Sequence, residues 1–185
     1  MRRWAAAGLM LALAACGAAH GAVAIPSDEI PFSVARTPQP ELPTQPSAVY
    51  TLSFVRRGHL VDVTRDLPTR SPQEQVMIAL LDGPTQREAD RAISTEIPGE
   101  TRLLTVEVSD GIAAVNLSRE FQGAGSSESV LLRVAEVVRT LTGTKGVTAV
   151  RFLIDGEFVG VPTDSGVVER PVNRLDYATV RPTSQ

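Results

Sequence analysis

The run from Leu103 to Leu117 constrains the fold of this chain more than any other stretch. Apolar residues alternate with polar ones in both of its halves, at Leu104, Val106, Val108, Ala113, Val115 and Leu117. A period of two predicts strands with one buried face. Asp110-Gly111 separates the halves and favours a tight hairpin, because both residues tolerate a positive φ. We therefore predict a central antiparallel hairpin against which one helix before it and one after it pack.

A first helix is predicted before the hairpin, with signals at both ends. Ser71 takes the N-cap, Pro72 the first helical position and Glu74 the third, an arrangement in which the Ser and Glu side chains satisfy free amide groups reciprocally. Gly83-Pro84 ends the helix, since glycine suits a helix C-terminus and proline cannot continue it. Its apolar stripe consists of Val76, Met77, Leu80 and Leu81.

A second, longer helix is predicted after the hairpin. Residues 123–127 open it, Gly143 closes it, and its apolar residues follow a period of 3.6. These residues are Val130, Leu131, Val134, Val137, Val138 and Leu141. Between the first helix and the hairpin, residues 83–102 form a long connection in which Ala89 to Ser94 is a candidate helical turn.

Two further pairs of strands flank these elements. Residues 49–55 and 60–65 form the first pair around a turn at residues 56–59, and residues 150–154 and 158–161 form the second around Asp155-Gly156. The element order is β-β-α-β-β-α-β-β. This order predicts an α+β fold, a single domain with an antiparallel sheet and two main helices packed on one face.

The N-terminus predicts export and lipid anchoring. Arg2 and Arg3 precede an apolar stretch from Trp4 to Ala15, which suits a signal peptide and is too short to cross a bilayer core of about 30 Å. The stretch ends in Leu-Ala-Ala-Cys, which resembles the lipobox of bacterial lipoproteins. The resemblance implies cleavage after residue 15 and diacylation of the Cys16 thiol, which would hold the protein on the extracytoplasmic face of the cell membrane. A plain secretory signal cut between Ala12 and Ala19 stays open as the alternative.

Composition divides the remainder of the chain. Residues 16–48 are rich in proline and predict an extended linker. We assign residues 49–162 to the folded domain and residues 163–185 to a C-terminal extension that is partly ordered.

Cys16 is the only cysteine, which excludes an intramolecular disulfide. The pI of about 5.4 and the formal net charge of −3 argue against a nucleic-acid partner.

A series of short motifs resembles the GerMN domain of bacterial envelope lipoproteins. In order they are Leu80–Thr85, Ile97-Pro98, Leu104, Asp110-Gly111, Val115–Ser118, Phe121, Leu141-Thr142 and Val150–Gly156. The resemblance covers about residues 48–160. It implies an envelope protein without an established catalytic centre, and a fold similar to ring-building domains of secretion and sporulation complexes. Asn116 stands where the family more often has Asp, which weakens a carboxylate role there.

Residues with catalytic or ligand-binding chemistry are sparse. His20 and His59 are the only histidines, so we predict no histidine-based metal site. A triad through His59 and Asp62 lacks a nucleophile elbow. Residues 123–127, a glycine-rich run before a helix, favour capping over anion binding because the P-loop lysine is absent. Asp155–Glu157 fits a hairpin turn better than a calcium loop.

Four arginines bracket the first predicted hairpin, namely Arg56, Arg57, Arg65 and Arg70. On an acidic protein they form either a local basic patch or an ordinary solvated face, and the second reading is favoured.

The predicted function is therefore a non-catalytic binding or assembly module of the bacterial envelope, without cofactor. Its expected partners are the membrane, through the lipid on Cys16, and an envelope protein or cell-wall component. One alternative is an envelope hydrolase or glycan-processing enzyme, which would need convergent carboxylates among Glu107, Asp110 and Asp155. The other is a lipoprotein that captures a small solute. A deep pocket lined by paired acids would favour the enzyme, and an exposed apolar strip or sheet edge would favour assembly.

Overall fold

Residues 46–180 are described in a computed structural model, and they fall within one unit, Pro43–Gln185. The predicted signal peptide, Cys16 and almost all of the predicted linker lie outside the described residues.

The domain begins with an antiparallel hairpin of two ten-residue strands, β1 (Ser47–Arg56) and β2 (His59–Pro68). Arg57 and Gly58 make the turn with φ angles of 54° and 76°. This hairpin forms a two-stranded sheet of its own. Leu52 and Phe54 of β1 and Leu60 of β2 are buried in the core.

Helix α1 (Pro72–Leu81) ends as predicted, but it does not begin as predicted. Gly83 follows it with a φ of 80°, a left-handed conformation that suits glycine after a helix. Ser71 has φ 52° and ψ 59° and makes no side-chain bond to the first turn. The predicted reciprocal capping by Ser71 and Glu74 is therefore wrong, because an N-cap needs an extended conformation to aim its hydroxyl at the free amides.

The connection after α1 contains one helical turn, α2 (Gln86–Ala89), which lies nearer the start of the connection than the predicted turn at Ala89–Ser94. The Glu88 carboxylate accepts a bond from the Thr85 amide at 2.7 Å and pairs with Arg65. Ser94 then pairs with Val55 through two backbone bonds of 2.8 Å, so the connection runs along the first hairpin.

The main sheet has four strands in the order β3-β4-β5-β6. Strands β3 (Leu103–Ser109) and β4 (Ile112–Leu117) form the predicted hairpin, and β5 (Ala149–Ile154) pairs antiparallel with the short β6 (Glu157–Phe158). Strands β4 and β5 run parallel. The predicted α+β class and single domain are confirmed, and the sheet is mixed because a helical crossover joins β4 to β5.

Helix α3 (Ser127–Leu141), not the predicted hairpin, is the centre of the domain. A short 3₁₀ helix, Arg119–Gln122, leads into it. Packed around α3 are α1, both strands of the first hairpin, β5, and residues 161–163 and 174–177 near the C-terminus. From Leu132 to Leu141 every residue except Arg139 is buried. The predicted single apolar stripe therefore understates how completely this helix is enclosed.

The C-terminal segment closes the domain with a small hairpin, β7 (Val161–Thr163) and β8 (Gly166–Val168), and a 3₁₀ helix, Arg174–Tyr177. Val172 pairs with Val150 of β5, and the buried Tyr177 donates its hydroxyl to the Pro162 carbonyl at 3.0 Å. The Val180 carbonyl accepts from the Leu60 amide.

Candidate functional site

Among the strands of more than three residues, β3 is the most exposed, and we call its residues Leu103–Ser109 the β3 edge. Leu104 is 44 % exposed and Val108 is 41 % exposed, and Val106 is half-buried. The prediction that this apolar face is buried is therefore wrong. The reason is topological, because β3 is the outer strand of the sheet and has a strand neighbour, β4, on one side only. Ile78, on the outer side of α1, is 42 % exposed.

The turn geometry determines which backbone groups of the β3 edge are free. Asp110 and Gly111 have φ angles of 53° and 79°, as a two-residue hairpin loop of type I′ requires. In such a hairpin the flanking pair, here Ser109 and Ile112, is hydrogen-bonded, and bonded and non-bonded pairs then alternate. The amide and carbonyl groups of Val106 and Val108 therefore point away from β4. No other backbone group in residues 46–180 bonds them.

A register shift limits this free edge at its start. The pairing with β4 slips between Leu103 and Thr105, which marks a bulge. Bulges bend a strand and interrupt its regular spacing. The regular part of the β3 edge is therefore Thr105 to Ser109.

Glu136, a residue that sequence reasoning did not single out, is completely buried on α3, at 0 % exposure. Its carboxylate accepts bonds from the Glu96 amide and the Thr95 hydroxyl, both at 2.8 Å. Burial raises the pKa of Glu136 to about 8, against the opposing effects of these two bonds and of nearby Arg133. Glu136 thereby attaches the connection that leads into β3 to the central helix.

Arg133, one turn earlier on α3, has a similar role at 2 % exposure. Its Nε donates to the Glu96 carbonyl at 2.8 Å, and its Nη1 donates to the carbonyls of Phe121 and Gly123 at 2.7 and 2.9 Å. Burial lowers the pKa of this guanidinium. No sequence signal could have found either residue, because both lie outside the apolar stripe of α3, where a solvated helix carries its charges.

The acids considered for catalysis are not brought together. Asp110 lies in the turn at the start of β4, whereas Asp155 lies in the turn after β5. Because β4 and β5 are parallel, these turns are at opposite ends of the sheet, about 20 Å apart for strands of six residues. Asp155 pairs with Arg119 at 3.1 Å, and Glu107 and Glu157 are exposed on the two outer strands. A convergent carboxylate pair is therefore not formed by these residues.

The four arginines do not form one basic patch. Arg56 and Arg57 lie at the tip of the first hairpin, and Arg70 follows its open end. Arg65 pairs with Glu88 and lies over the Phe54 ring, 5.7 Å from its centroid. The reading of a solvated face describes the exposed Arg57 and Arg70 better.

The glycine-rich run before α3 serves the helix itself. The Ser126 hydroxyl oxygen accepts a bond from the Ser129 amide at 3.1 Å, and the Gly123 carbonyl accepts from Arg133. The first of these bonds occupies the Ser129 amide, a donor at the helix N-terminus that an anion would otherwise use.

The surface of the described residues has three clefts that differ from the pocket of an enzyme. The largest, about 420 Å³, includes His59, Glu128 and Val180 in its lining. A second, about 270 Å³, includes Arg151 and Glu169, and a third, about 230 Å³, includes Arg133 and no carboxylate. None of the three has paired acids. Within residues 46–180, no group of three or more His, Cys, Asp or Glu side chains is placed to hold a metal ion, and no catalytic arrangement is evident.

Comparison with known proteins identifies the domain. The sequence model of the Germane family, described as sporulation and spore germination, matches residues 47–160, which is more than half of the chain. The chain belongs to this family. Among curated proteins none matches the sequence.

Solved structures agree with this family. The first GerMN domain of the sporulation protein GerM from Bacillus subtilis has 20 % sequence identity and a TM-score of 0.58, over 69 % of this chain and 98 % of that one. The tandem GerMN domains of the same protein give 19 % and 0.55, over 75 % of this chain and 48 % of that one, so the chain spans about half of the tandem structure. A candidate lipoprotein from Clostridium perfringens, at 17 % identity, 73 % and 93 % coverage and a TM-score of 0.49, is too distant to support an inference.

Asn116 of this Germane domain has a structural role. Its side-chain oxygen accepts a bond from the Gly156 amide at 3.0 Å and so holds the turn between β5 and β6. An amide oxygen makes this bond without a charge, which fits the absence of a carboxylate at this position. None of the helices within residues 46–180 has the length and apolar character to cross a membrane.

Proposed function

We propose that this Germane-family protein is a lipid-anchored binding or assembly module on the extracytoplasmic face of the bacterial cell envelope, and that it engages its partner through the β3 edge. The sequence around Cys16 supports the anchor. The predicted proline-rich linker before β1 lets the domain reach a partner at some distance from the bilayer, and anchoring raises the local concentration of its binding surface.

The exposed β3 edge is the observation that carries this proposal. Unpaired backbone groups at a sheet edge are a ready template for another strand, and most proteins protect such edges with proline, charge or cover. The β3 edge has no proline and one charged residue, Glu107. Exposed apolar side chains at Leu104 and Val108 add area that a partner can bury.

The variant Val106→Pro tests the edge directly. We expect it to fold and to abolish function in a deletion strain. Proline removes an amide that points away from β4, so the hairpin keeps its own bonds while an added strand loses one of its donors. Complementation measures function, and circular dichroism with thermal melting measures folding. A Val106→Pro protein that folds and complements fully would show that the edge is not the binding surface.

Single substitutions to alanine test the alternative that the protein is an enzyme. The positions are His59, Asp110, Asp155 and Glu157. Each variant should complement wherever it folds, because a binding edge does not depend on these side chains. A folded variant that loses both function and a measurable turnover would favour the hydrolase instead.

The variant Cys16→Ala tests the anchor. We expect it to stay unprocessed or to be released from the membrane, with no acyl mass on the mature N-terminus, because the thiol is the acceptor of the lipid. Mass spectrometry of the membrane-bound wild-type protein gives the reference. Wild-type protein that is cleaved away from Cys16 and carries no lipid would contradict the anchored design.

A further inference from the structure

The two faces of β3 differ in chemistry. Val106 and Val108 lie opposite the buried Val115 and Ala113 of β4, so they share the face that is turned toward the helices. Thr105 and Glu107 alternate with them and occupy the other, solvent-facing side. A strand added beside β3 would continue both faces.

Residues on one face of such an added strand would lie beside Val106 and Val108, on the side of α1 and its exposed Ile78. Apolar side chains are favoured there, because they bury area that is now in contact with water. The added strand would therefore be apolar at every second position.

The residue opposite Glu107 would lie on the solvent-facing side. Glu107 is the only charged residue of β3, and it has no ion-pair partner within residues 46–180. Opposite charges on directly opposed residues stabilise strand pairing, and like charges destabilise it. Lysine or arginine is thus favoured at this position of the added strand.

A second copy of this chain does not meet these requirements. The bulge restricts regular pairing to Thr105–Ser109, and a symmetric antiparallel pair over this stretch matches Val106 with Val108. That register places Glu107 directly opposite Glu107 of the other copy. The edge therefore disfavours self-pairing in the register that would use it fully.

From this geometry we propose that the β3 edge accepts an extended segment of another protein whose residues alternate between apolar and basic. The segment pairs with the free backbone groups of Val106 and Val108, and a basic side chain faces Glu107. This inference rests on the proposed function and names the chemistry of its partner.

Two synthetic heptapeptides test it, one alternating valine with lysine and one alternating valine with glutamate. Each is titrated into the isotopically labelled full chain in detergent, and backbone amide shifts are followed by NMR. We expect the lysine peptide to shift the Val106 and Val108 amides and to bind about 1.5- to fivefold more tightly than the glutamate peptide, the range expected for one cross-strand charge pair. In Glu107→Lys the preference should reverse.

Glu157→Lys is the matched control, because it makes the same charge change on β6, at the opposite edge of the sheet. It should leave the lysine preference unchanged. β3 amides that do not respond to either peptide, or a preference that Glu107→Lys does not alter, would overturn the inference. So would a dimer, detected by sedimentation at the same concentration, that Val106→Pro dissociates.

The experiments distinguish a failure of the proposed function from a failure of this inference. If neither peptide moves the β3 amides while the folded Val106→Pro still abolishes complementation, the edge binds a partner of other chemistry and only the inference is lost. If Val106→Pro complements fully, the edge is not the binding surface, whatever the peptides do.

Discussion

Replacing Val138 by aspartate is expected to abolish the cooperative thermal unfolding transition of the domain. Val138 is 0 % exposed near the middle of the enclosed part of α3. A carboxylate placed there without compensating bonds costs several kcal/mol, comparable to the whole stability of a domain, roughly 5–15 kcal/mol. Differential scanning calorimetry measures the result.

Ser127→Asp is the matched control on the same helix. Ser127 is the exposed first residue of α3, where a negative charge is favoured by the helix dipole. Its melting curve should be unchanged or slightly raised. An unchanged curve for Val138→Asp would contradict the enclosed position of α3.

Replacing Glu136 by glutamine is expected to stabilise the domain at pH 8 and to flatten its stability between pH 4.5 and 8. The pKa of Glu136 is about 8 in the fold, above its ordinary value of 4.5. Its protonated form is therefore favoured by folding. The contribution of Glu136 to the free energy of unfolding is therefore fully present below pH 4.5. It is lost as the pH rises toward 8, by roughly 1.4 kcal/mol for each pH unit at most. Glutamine resembles the neutral acid and keeps an oxygen for the Glu96 amide.

Urea unfolding at pH 5, 6, 7 and 8 measures this difference. Glu136→Ala should instead be less stable than Glu136→Gln at every pH, because the half-buried Glu96 amide and Thr95 hydroxyl lose their acceptor. A wild-type slope that persists in Glu136→Gln would assign the pH dependence to other groups.

Glu88→Gln is expected to change the stability of the domain in the opposite direction to Glu136→Gln. Burial raises the pKa of Glu88, but the Thr85 amide and Arg65 outweigh it and hold that pKa below its usual range. Glu88 thus stabilises the fold in its charged form, and this contribution is present at neutral pH and lost in acid. Removing its charge should destabilise the domain at pH 7, where Glu136→Gln stabilises it.

These buried groups also connect stability with the proposed surface. Glu136 and Arg133 bond Glu96, and the chain reaches β3 seven residues later. The central helix therefore fixes the segment from which the β3 edge starts. A substitution that removes these bonds should weaken the binding of an added strand, even though no residue of the β3 edge is changed.

Short-range sequence signals were sufficient to predict the elements whose conformation depends on adjacent residues. Asp110-Gly111 defines its hairpin because two adjacent residues adopt positive φ, and Gly83 ends α1 for the same conformational reason. The period of 3.6 in residues 130–141 places α3 in the chain. The order of ordinary motifs led to the resemblance that the family match confirms. Ser71 shows the limit, since its capping depends on a backbone angle that no motif specifies.

Only the tertiary structure determined which of these elements became central and which stayed exposed. The parallel pairing of β4 with β5 joins strands separated by the whole of α3, and no local signal encodes that partner. The same topology leaves β3 at the edge, so an alternation that predicts burial yields exposed Leu104 and Val108. It also encloses α3 and buries Arg133 and Glu136. Whether a residue is buried depends on which other elements pack against its segment. The segment's own sequence shows only which of its faces is apolar.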